Sequence, residues 1–459
     1  MSFESTNRSH PQNVSNRVQG RLDFLPVRAP GYIILIIVFT GLLFIIATLS
    51  GCEAIPQTPD ATQIYPATNT PTPVKEITPT PASAQTLIIW VPPQFDPANG
   101  TIAGDLFQKR LDAFEAENPD IHIQVRVKSA VGPSNLIESL TNTSTAAPKA
   151  LPSLIALSRS DLETAALKGL IIPLDNLTSS IDDPDWYIYA RQMALIQGSL
   201  FGLPFAGDAL LLCYRPEKVS DLPATWVTIL KRTMPVTFPA ADPQSLFALT
   251  LYQSLGGKVE DDQHRPLLQP EILKEVLDLF SKGANQGIFP QSLTTYQTDG
   301  QSWQAYQDQQ YNWVITWASK FLADAPPDTA AQPLPVLGKT DYTISSGWVW
   351  AVADPSPAGQ ALSVKLANYM VDGNFLADWT SSAGFLPTRS TALAAWKNQS
   401  LQATMSQVIL SAQNRPTNDL LAGLGPVLAD AVVQVIKNEA DPAQAAQKAA
   451  EQIIAPETK

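Results

Sequence analysis

The chain has 459 residues, enough for two or three domains with large cores, and its 45% apolar and 16% charged content excludes a disordered polypeptide. Its net charge of −12 argues against nucleic acid or an anionic membrane surface as a partner. The imbalance is greater beyond residue 51, because Arg8, Arg17, Arg21 and Arg28 outweigh Glu4 and Asp23 before it.

Residues 1–30 are polar and basic, and 31–51 (GYIILIIVFTGLLFIIATLSG) carry no charge. About 20 such residues span a bilayer as a helix. The arginines ahead of the run make 1–30 a cytoplasmic leader by the positive-inside rule. The run ends Leu49-Ser50-Gly51-Cys52, which resembles the lipobox of bacterial lipoproteins. That resemblance implies cleavage before Cys52 and a diacylglyceryl group on its thiol, two acyl chains being needed for firm anchoring. An uncleaved signal anchor at 31–51 stays open, and either way the body lies outside the cytoplasmic membrane. Residues 52–85 read as a tether. Seven Pro and seven Thr between Glu53 and Gln85 leave no apolar face. At about 3.1 Å per residue in polyproline geometry the tether reaches roughly 100 Å.

The folded body opens with the strand Leu87–Val91 and a loop, PPQFDPANG. A helix at Gly104–Asn118 carries Phe107, Leu111 and Phe114 on one stripe and stops at Pro119. Ile121, Ile123, Val125 and Val127 alternate as a strand. A helix over Pro133–Thr143, a strand at Leu154–Leu157 and a helix opened by a capping box at Ser160–Glu163 complete a β-α-β-α-β order. This order predicts a parallel sheet with ligands at the carboxyl ends of its strands.

The chain is organised around FGLPFAGDALLLCYRPE, Phe201–Glu217. Ala209–Tyr214 is an apolar run of strand length, ended by Pro216. We read it as the strand that leaves one lobe and enters the next; an ordinary core strand is the plainer alternative. Cys213 within it reads as a small buried hydrophobe. Beyond it the pattern predicts helices at Gln244–Leu255, Pro270–Gln286 and Pro357–Val371, strands at Asn312–Trp317 and Gly347–Val352, and a helical end from Asn418 to Ile454. The acidic stretch Glu260–His264 reads as a solvated turn, lacking the glycine and closing Glu of a calcium loop.

Little points to bond-breaking chemistry. There is no GxGxxG, GxxxxGKS, HExxH or CxxC, so no nucleotide cofactor and no metal site are expected. His122 and His264, the body's two histidines, sit in no catalytic motif. Asp96, Asp161 and Asp208 fall at predicted loop ends, and two carboxylates are all a glycosidase needs. Tryptophan is the stronger signal. All ten lie in the body, and Trp90, Trp303, Trp313, Trp317, Trp348 and Trp350 fall at strand and loop junctions. An indole stacks on an apolar sugar face while its N–H still bonds. Each is by itself ordinary core, but one or two of the group are expected in a cleft.

Five segments together resemble the extracellular solute-binding proteins of bacterial ABC importers, the maltose- and oligosaccharide-binding family. They are LIIW, AFEAENPDIHIQV (Ala113–Val125), GLPFAGDALLLCY, SGWVWAV (Ser346–Val352) and SAGFLPTRSTAL (Ser382–Leu393). The resemblance covers about 87–400. It implies an α/β, two-lobe periplasmic-binding-protein-like fold, each lobe a mainly parallel sheet flanked by helices, joined by crossing hinge strands. The expected lobes are 86–208 with 343–385, and 209–342 with 386–459. The implied ligand-binding positions are Gln94, Phe95, Asp208, Trp317, Trp348 and Arg389, with no catalytic residue. The implied partners are a small solute, a sugar by this family, ABC permease subunits, and the bilayer through Cys52 or 31–51. A lipid-anchored surface glycoside hydrolase or adhesin is the alternative.

Overall fold

Eleven strands and the helices between them are described by a computed structural model covering residues 85–454 apart from Ser220 and Ala325. The leader, the apolar run, Cys52 and the tether up to residue 84 lie outside the described residues, which all fall within one compact unit, Thr80–Lys459. β1 (Gln85–Val91), β2 (Ile121–Val127) and β3 (Leu154–Ser158) alternate with helices Ile102–Glu117 and Leu136–Ala146. β1 pairs in parallel with both other strands. The first helix starts where the Thr101 side chain accepts the Gly104 N–H at 3.0 Å, and it buries Phe107, Leu111 and Phe114. β2 is the edge strand, so of its alternating apolar residues only Ile123 is buried.

The helix Arg159–Leu167 is capped by Ser158, not by the expected box at Ser160–Glu163. β3 runs to Ser158 and turns straight into the helix, so the cap falls two residues earlier. Glu163 is left to pair with Arg159 at 3.0 Å, one turn back. After the short helix Ile188–Met193, β4 (Leu195–Ile196) and β5 (Ser199–Leu200) form a hairpin. Its two turn residues, Gln197 and Gly198, have φ of 50° and 84°, the mirror-image turn that matches strand twist.

β6 (Leu203–Tyr214) has 12 residues, twice the apolar run expected. A one-turn helix, Trp226–Ile229, β7 (Val236–Thr237) and helices Leu246–Ser254, Pro270–Asn285 and Asp299–Gln307 follow. β8 (Trp313–Trp317) runs directly into the helix Ala318–Asp324, and β9 (Ala330–Gln332) follows. β10 (Thr343–Val352) is the second long strand. Helices Pro357–Met370, Gly373–Ala383, Ser390–Ala394 and Gln399–Ser411 lead to β11 (Ala412–Asn414). The expected helical end is two helices, Asn418–Ile436 and Pro442–Ile454. They part at Asn438, whose φ of 59° breaks the helix.

The main sheet runs β2-β1-β3-β10-β6-β8-β7, with β11 on β10 and β9 on β6. Parallel pairing holds at its outer strands. The central ladders β3–β10, β10–β6 and β6–β8 are antiparallel. Two hydrophobic clusters flank this sheet. The first holds Leu87, Phe107, Leu203, Phe205, Val349 and Trp350; the second holds Leu212, Phe238, Phe280, Trp313, Ile344 and Leu428. β10 passes from the second cluster at Ile344 into the first at Val349–Val352, and β6 lies in the first up to Ala209, beyond which alternate residues face the second (Leu210, Leu212) and the first (Leu211, Cys213).

The segment after 385 departs from the expected division. Leu386, Leu393, Trp396, Val408 and Ala412 pack in the first cluster, and only from Leu420 does the chain join the second. Hydrogen bonding explains it. Gly207 and Leu386 exchange backbone N–H···O bonds at 2.8 Å, and Tyr189 donates its hydroxyl to the Pro387 carbonyl at 2.8 Å. Gly207 is therefore irreplaceable on packing grounds: a Cβ there would collide with the Tyr189 hydroxyl. Gly207→Ala is expected to cost about 1–3 kcal/mol. Denaturant unfolding measures it, and adding Tyr189→Phe, which removes the colliding oxygen, should recover part of the loss.

Candidate functional site

The central strands are buried along nearly their whole length, so their few half-exposed positions are informative. In β6 they are Asp208 and the last residue, Tyr214; in β10, Ser346 and Trp348; in β8, Trp317; in β3, Ser158. Register places five of these together. Trp348 pairs with Ala206 and with Ser158, Ser346 with Asp208, and Leu210 with Trp317. Paired residues share a face of a sheet, as do residues two apart along a strand. Ser158, Trp348, Ser346, Asp208 and Trp317 therefore lie on one face, in a row that crosses from the first cluster to the second. Every tryptophan except Trp317 and Trp348 is buried. The partly exposed side chains form a continuous row on that face of the sheet.

Trp348 is held rigidly. Phe95 meets it edge-on at 5.1 Å, and Phe95 in turn packs on Phe205 at 5.2 Å, which stacks on Trp350 at 4.4 Å. At the other end of the row, Trp317 lines a cavity of about 300 Å³ with Leu210, Asp242, Gln244, Thr298 and Asp299. The cavity lies beyond the carboxyl ends of the parallel strands β7 and β8, where α/β folds place ligands. The helix Asp299–Gln307 begins there with a complete capping box of Thr298 and Gln301.

Carboxyl groups dominate the electrostatics. Asp208 Oδ1 accepts the N–H groups of Ser319 and Ala209 at 2.9 and 3.0 Å, and Oδ2 accepts the Ser319 hydroxyl at 2.5 Å. Burial pushes its pKa up to about 7, against the pull of those hydrogen bonds, and the nearby Asp299 charge adds to the rise. Burial likewise lifts Asp299 to about 6, opposed by the Thr316 hydroxyl and Lys320. Asp242 is raised by burial, opposed by the N–H groups of Gln244 and Leu246. Among the described residues no cluster of three His, Cys, Asp or Glu is placed to hold a metal ion.

Asp208, Trp317 and Trp348 are thus brought together, and three other expected positions are not. Phe95 is buried beneath Trp348 and acts as its support, because the loop after β1 folds back as a turn of 3-10 helix at Pro93–Phe95. Gln94, in the same turn, is exposed. Arg389 is buried and fully engaged. It pairs with Asp183 at 2.9 Å, donates to the Val371 carbonyl at 2.8 Å and stacks 4.0 Å from the Trp186 ring centroid. Sequence reasoning missed Asp242, Gln244 and Asp299. The capping signal Thr298-x-x-Gln301 was readable, but only the sheet register shows that it opens beside Trp317.

Residues 109–404 match the model of a family described as bacterial extracellular solute-binding protein. No curated protein sequence matches the chain. Among solved structures, the cyclic α-maltosyl-1,6-maltose binding protein of Arthrobacter globiformis superposes with a TM-score of 0.66 at 15% identity, covering 80% of this chain and 97% of its own. The sugar-binding protein MalE of Xanthomonas citri gives 0.66 at 17%, covering 80% and 96%. Maltose-bound MalE3 of T. maritima gives 0.61 at 18%, covering 81% and 99%. The fold is accordingly the two-lobe α/β fold of periplasmic binding proteins, with β6 and β10 as the crossing strands. The chain belongs to the bacterial extracellular solute-binding protein family.

Proposed function

We propose that this protein captures a sugar or oligosaccharide between its two lobes and delivers it to the membrane permease of an ABC importer. The first lobe comprises 86–208 with 343–412, and the second 209–342 with 413–454. A lipid on Cys52, or an uncleaved 31–51 segment, holds the body at the outer face of the membrane, with 52–84 as the tether. The observation that carries this reading is the row from Trp348 through Asp208 to Trp317, which joins both lobes across the crossing strands. Structural neighbours solved with maltose or maltotetraose bound support the sugar assignment.

In this reading Trp348 and Trp317 stack on sugar rings from the first and second lobes, and Asp208 accepts hydroxyl hydrogens between them. Gln94 lies on the exposed rim of the first lobe. Contacts made to both lobes at once favour the closed form, so solute shifts the population toward it. The permease recognises that form, and no covalent bond of the solute changes.

A thermal-shift and calorimetric panel of mono- and oligosaccharides tests the proposal. Binding of an intact sugar with no release of reporter groups from glycosides supports capture; turnover of those reporters replaces it with a hydrolase. Trp317→Ala and Trp348→Ala should each weaken binding at least about tenfold, about 1.4 kcal/mol. Arg389→Gln should lower the unfolding temperature yet leave the affinity of the folded protein unchanged, which separates support from contact.

Asp208 also makes a pH prediction. Its folded pKa of about 7 lies above its ordinary value of 3.8, so the folded state holds a proton that the unfolded chain releases. The stability it contributes is fully present below about pH 4 and is lost as pH rises through about 7. Asp208→Asn should therefore flatten the fall in unfolding temperature between pH 4 and 7. An unchanged slope would remove the desolvated carboxyl from the account.

A further inference from the structure

The helix Asn418–Ile436 is packed into the second lobe and fastened to the first. Leu420, Leu421, Leu424 and Leu428 lie in the second cluster, and Gly425 lets the helix approach the Pro243 carbonyl, where a Cβ would collide. Its first residue is held from the other side. The Asn418 N–H donates to Glu163 Oε1 at 2.8 Å, and its side-chain amide donates to the Ser160 carbonyl at 2.9 Å and to the Thr164 hydroxyl at 3.2 Å. All three partners lie on the first-lobe helix Arg159–Leu167. Asn418 Oδ1 accepts from the Arg415 guanidinium at 2.9 Å, so each polar atom of the side chain is engaged.

The segment ahead of the helix is bonded to the first lobe as well. β11 pairs with β10 from Ala412 to Asn414, and the Arg415 N–H extends that ladder to the Ser345 carbonyl at 3.0 Å. Glu163 is buried and kept in place by Arg159 at 3.0 Å. Among the described residues no ion pair joins the two lobes. A buried carboxylate oxygen that loses its donor is left unsatisfied, so lobe motions that keep the Asn418 contact are favoured over those that break it. Rotation also needs room, because a close-packed junction does not yield. A cavity of about 700 Å³ adjoins this contact. Glu163, Leu167 and Gln197 of the first lobe line one side of it, and Pro266, Asp419 and Leu420 of the second line the other.

We propose that Asn418 is the pin about which the second lobe turns. Residues 412–418 move with the first lobe, the helix Asn418–Ile436 swings from its first turn, and the cavity beside it changes width with the swing. The mechanical boundary of the third connection between lobes therefore falls at 418. Asn418 is a positioning residue: it acts on the distance between Trp348 and Trp317 without touching solute. This rests on the reading of the protein as a two-lobe capture device and adds where its motion is centred.

The test uses the full-length protein with spin labels at Ile102→Cys in the first lobe and Val227→Cys in the second, two exposed helical positions, read against the same chain without those substitutions. Asn418→Ala removes the side-chain bonds to Ser160, Thr164 and Arg415 and keeps the backbone N–H; Thr164→Val is the milder second variant should the first fail to fold. The expected result, well below the unfolding temperature, is a broader inter-lobe distance distribution and roughly tenfold faster hydrogen exchange in the first turn of the helix Asn418–Ile436. Affinity for every sugar that the parent binds should change by one common factor of about threefold or more. A purely structural role lowers the unfolding temperature and leaves the distance distribution as it was; that outcome overturns the pin. A changed rank order among sugars overturns it too, because it places Asn418 at the solute. The label and exchange measurements need no ligand. A broadened distribution in a protein that binds no sugar therefore keeps the pin and removes the saccharide reading.

Discussion

Two long hydrogen-bonded strands running side by side through two separate hydrophobic clusters are the constraint on which the rest depends. β6 and β10 pair antiparallel from Leu203 to Ala209 and from Ser345 to Trp350, with a register shift at Trp348/Val349 that leaves Phe205 without a partner. Their backbone groups are satisfied by the ladders and, at Gly207, by Leu386, so the chain passes between cores without stranding polar groups in an apolar interior. Asp208, Ser346 and Trp348, partly exposed residues of these strands, form the floor between the two clusters.

The floor is stiff at its aromatic end and polar at its centre. Phe95, Phe205 and Trp350 form a packed series beneath Trp348, so the indole is held with little rotamer freedom. Asp208 ties β6 to the start of the helix Ala318–Asp324 through both of its oxygens. That helix leaves β8 directly after Trp317, so the carboxyl and the second indole are positioned by one short connection. The raised pKa of Asp208 follows from its position: burial costs the charged form more than three neutral donors return.

Arg389 and Phe95 show how support and contact can be confused. Both were expected at the ligand because of where their segments fall in the resemblance, and both are buried in the structure, packed behind or beside the partly exposed row. Arg389 fixes the turn after Pro387 through Asp183, Asp185 and Val371, and that turn is bonded to β6 at Gly207. Phe95 fills the space under Trp348. A residue's place in a motif identifies the region it serves but says nothing of whether its side chain meets solvent.

The residues alone determined the α/β class, the β-α-β-α-β opening, the crossing strand around Asp208 and the weight of tryptophan near the strand ends. These follow from short-range causes: apolar period, strand length, proline and capping residues act within a few positions of themselves. Only the tertiary structure decided which tryptophans stay half-exposed, that Leu386–Ala412 packs with the first cluster, and that Asp242 and Asp299 share a cavity with Trp317. Those facts depend on sheet register and on pairings between residues far apart in the chain. A single sequence carries no local mark of such pairings, because the same apolar or acidic residue is compatible with either side of a sheet until its neighbours are in place.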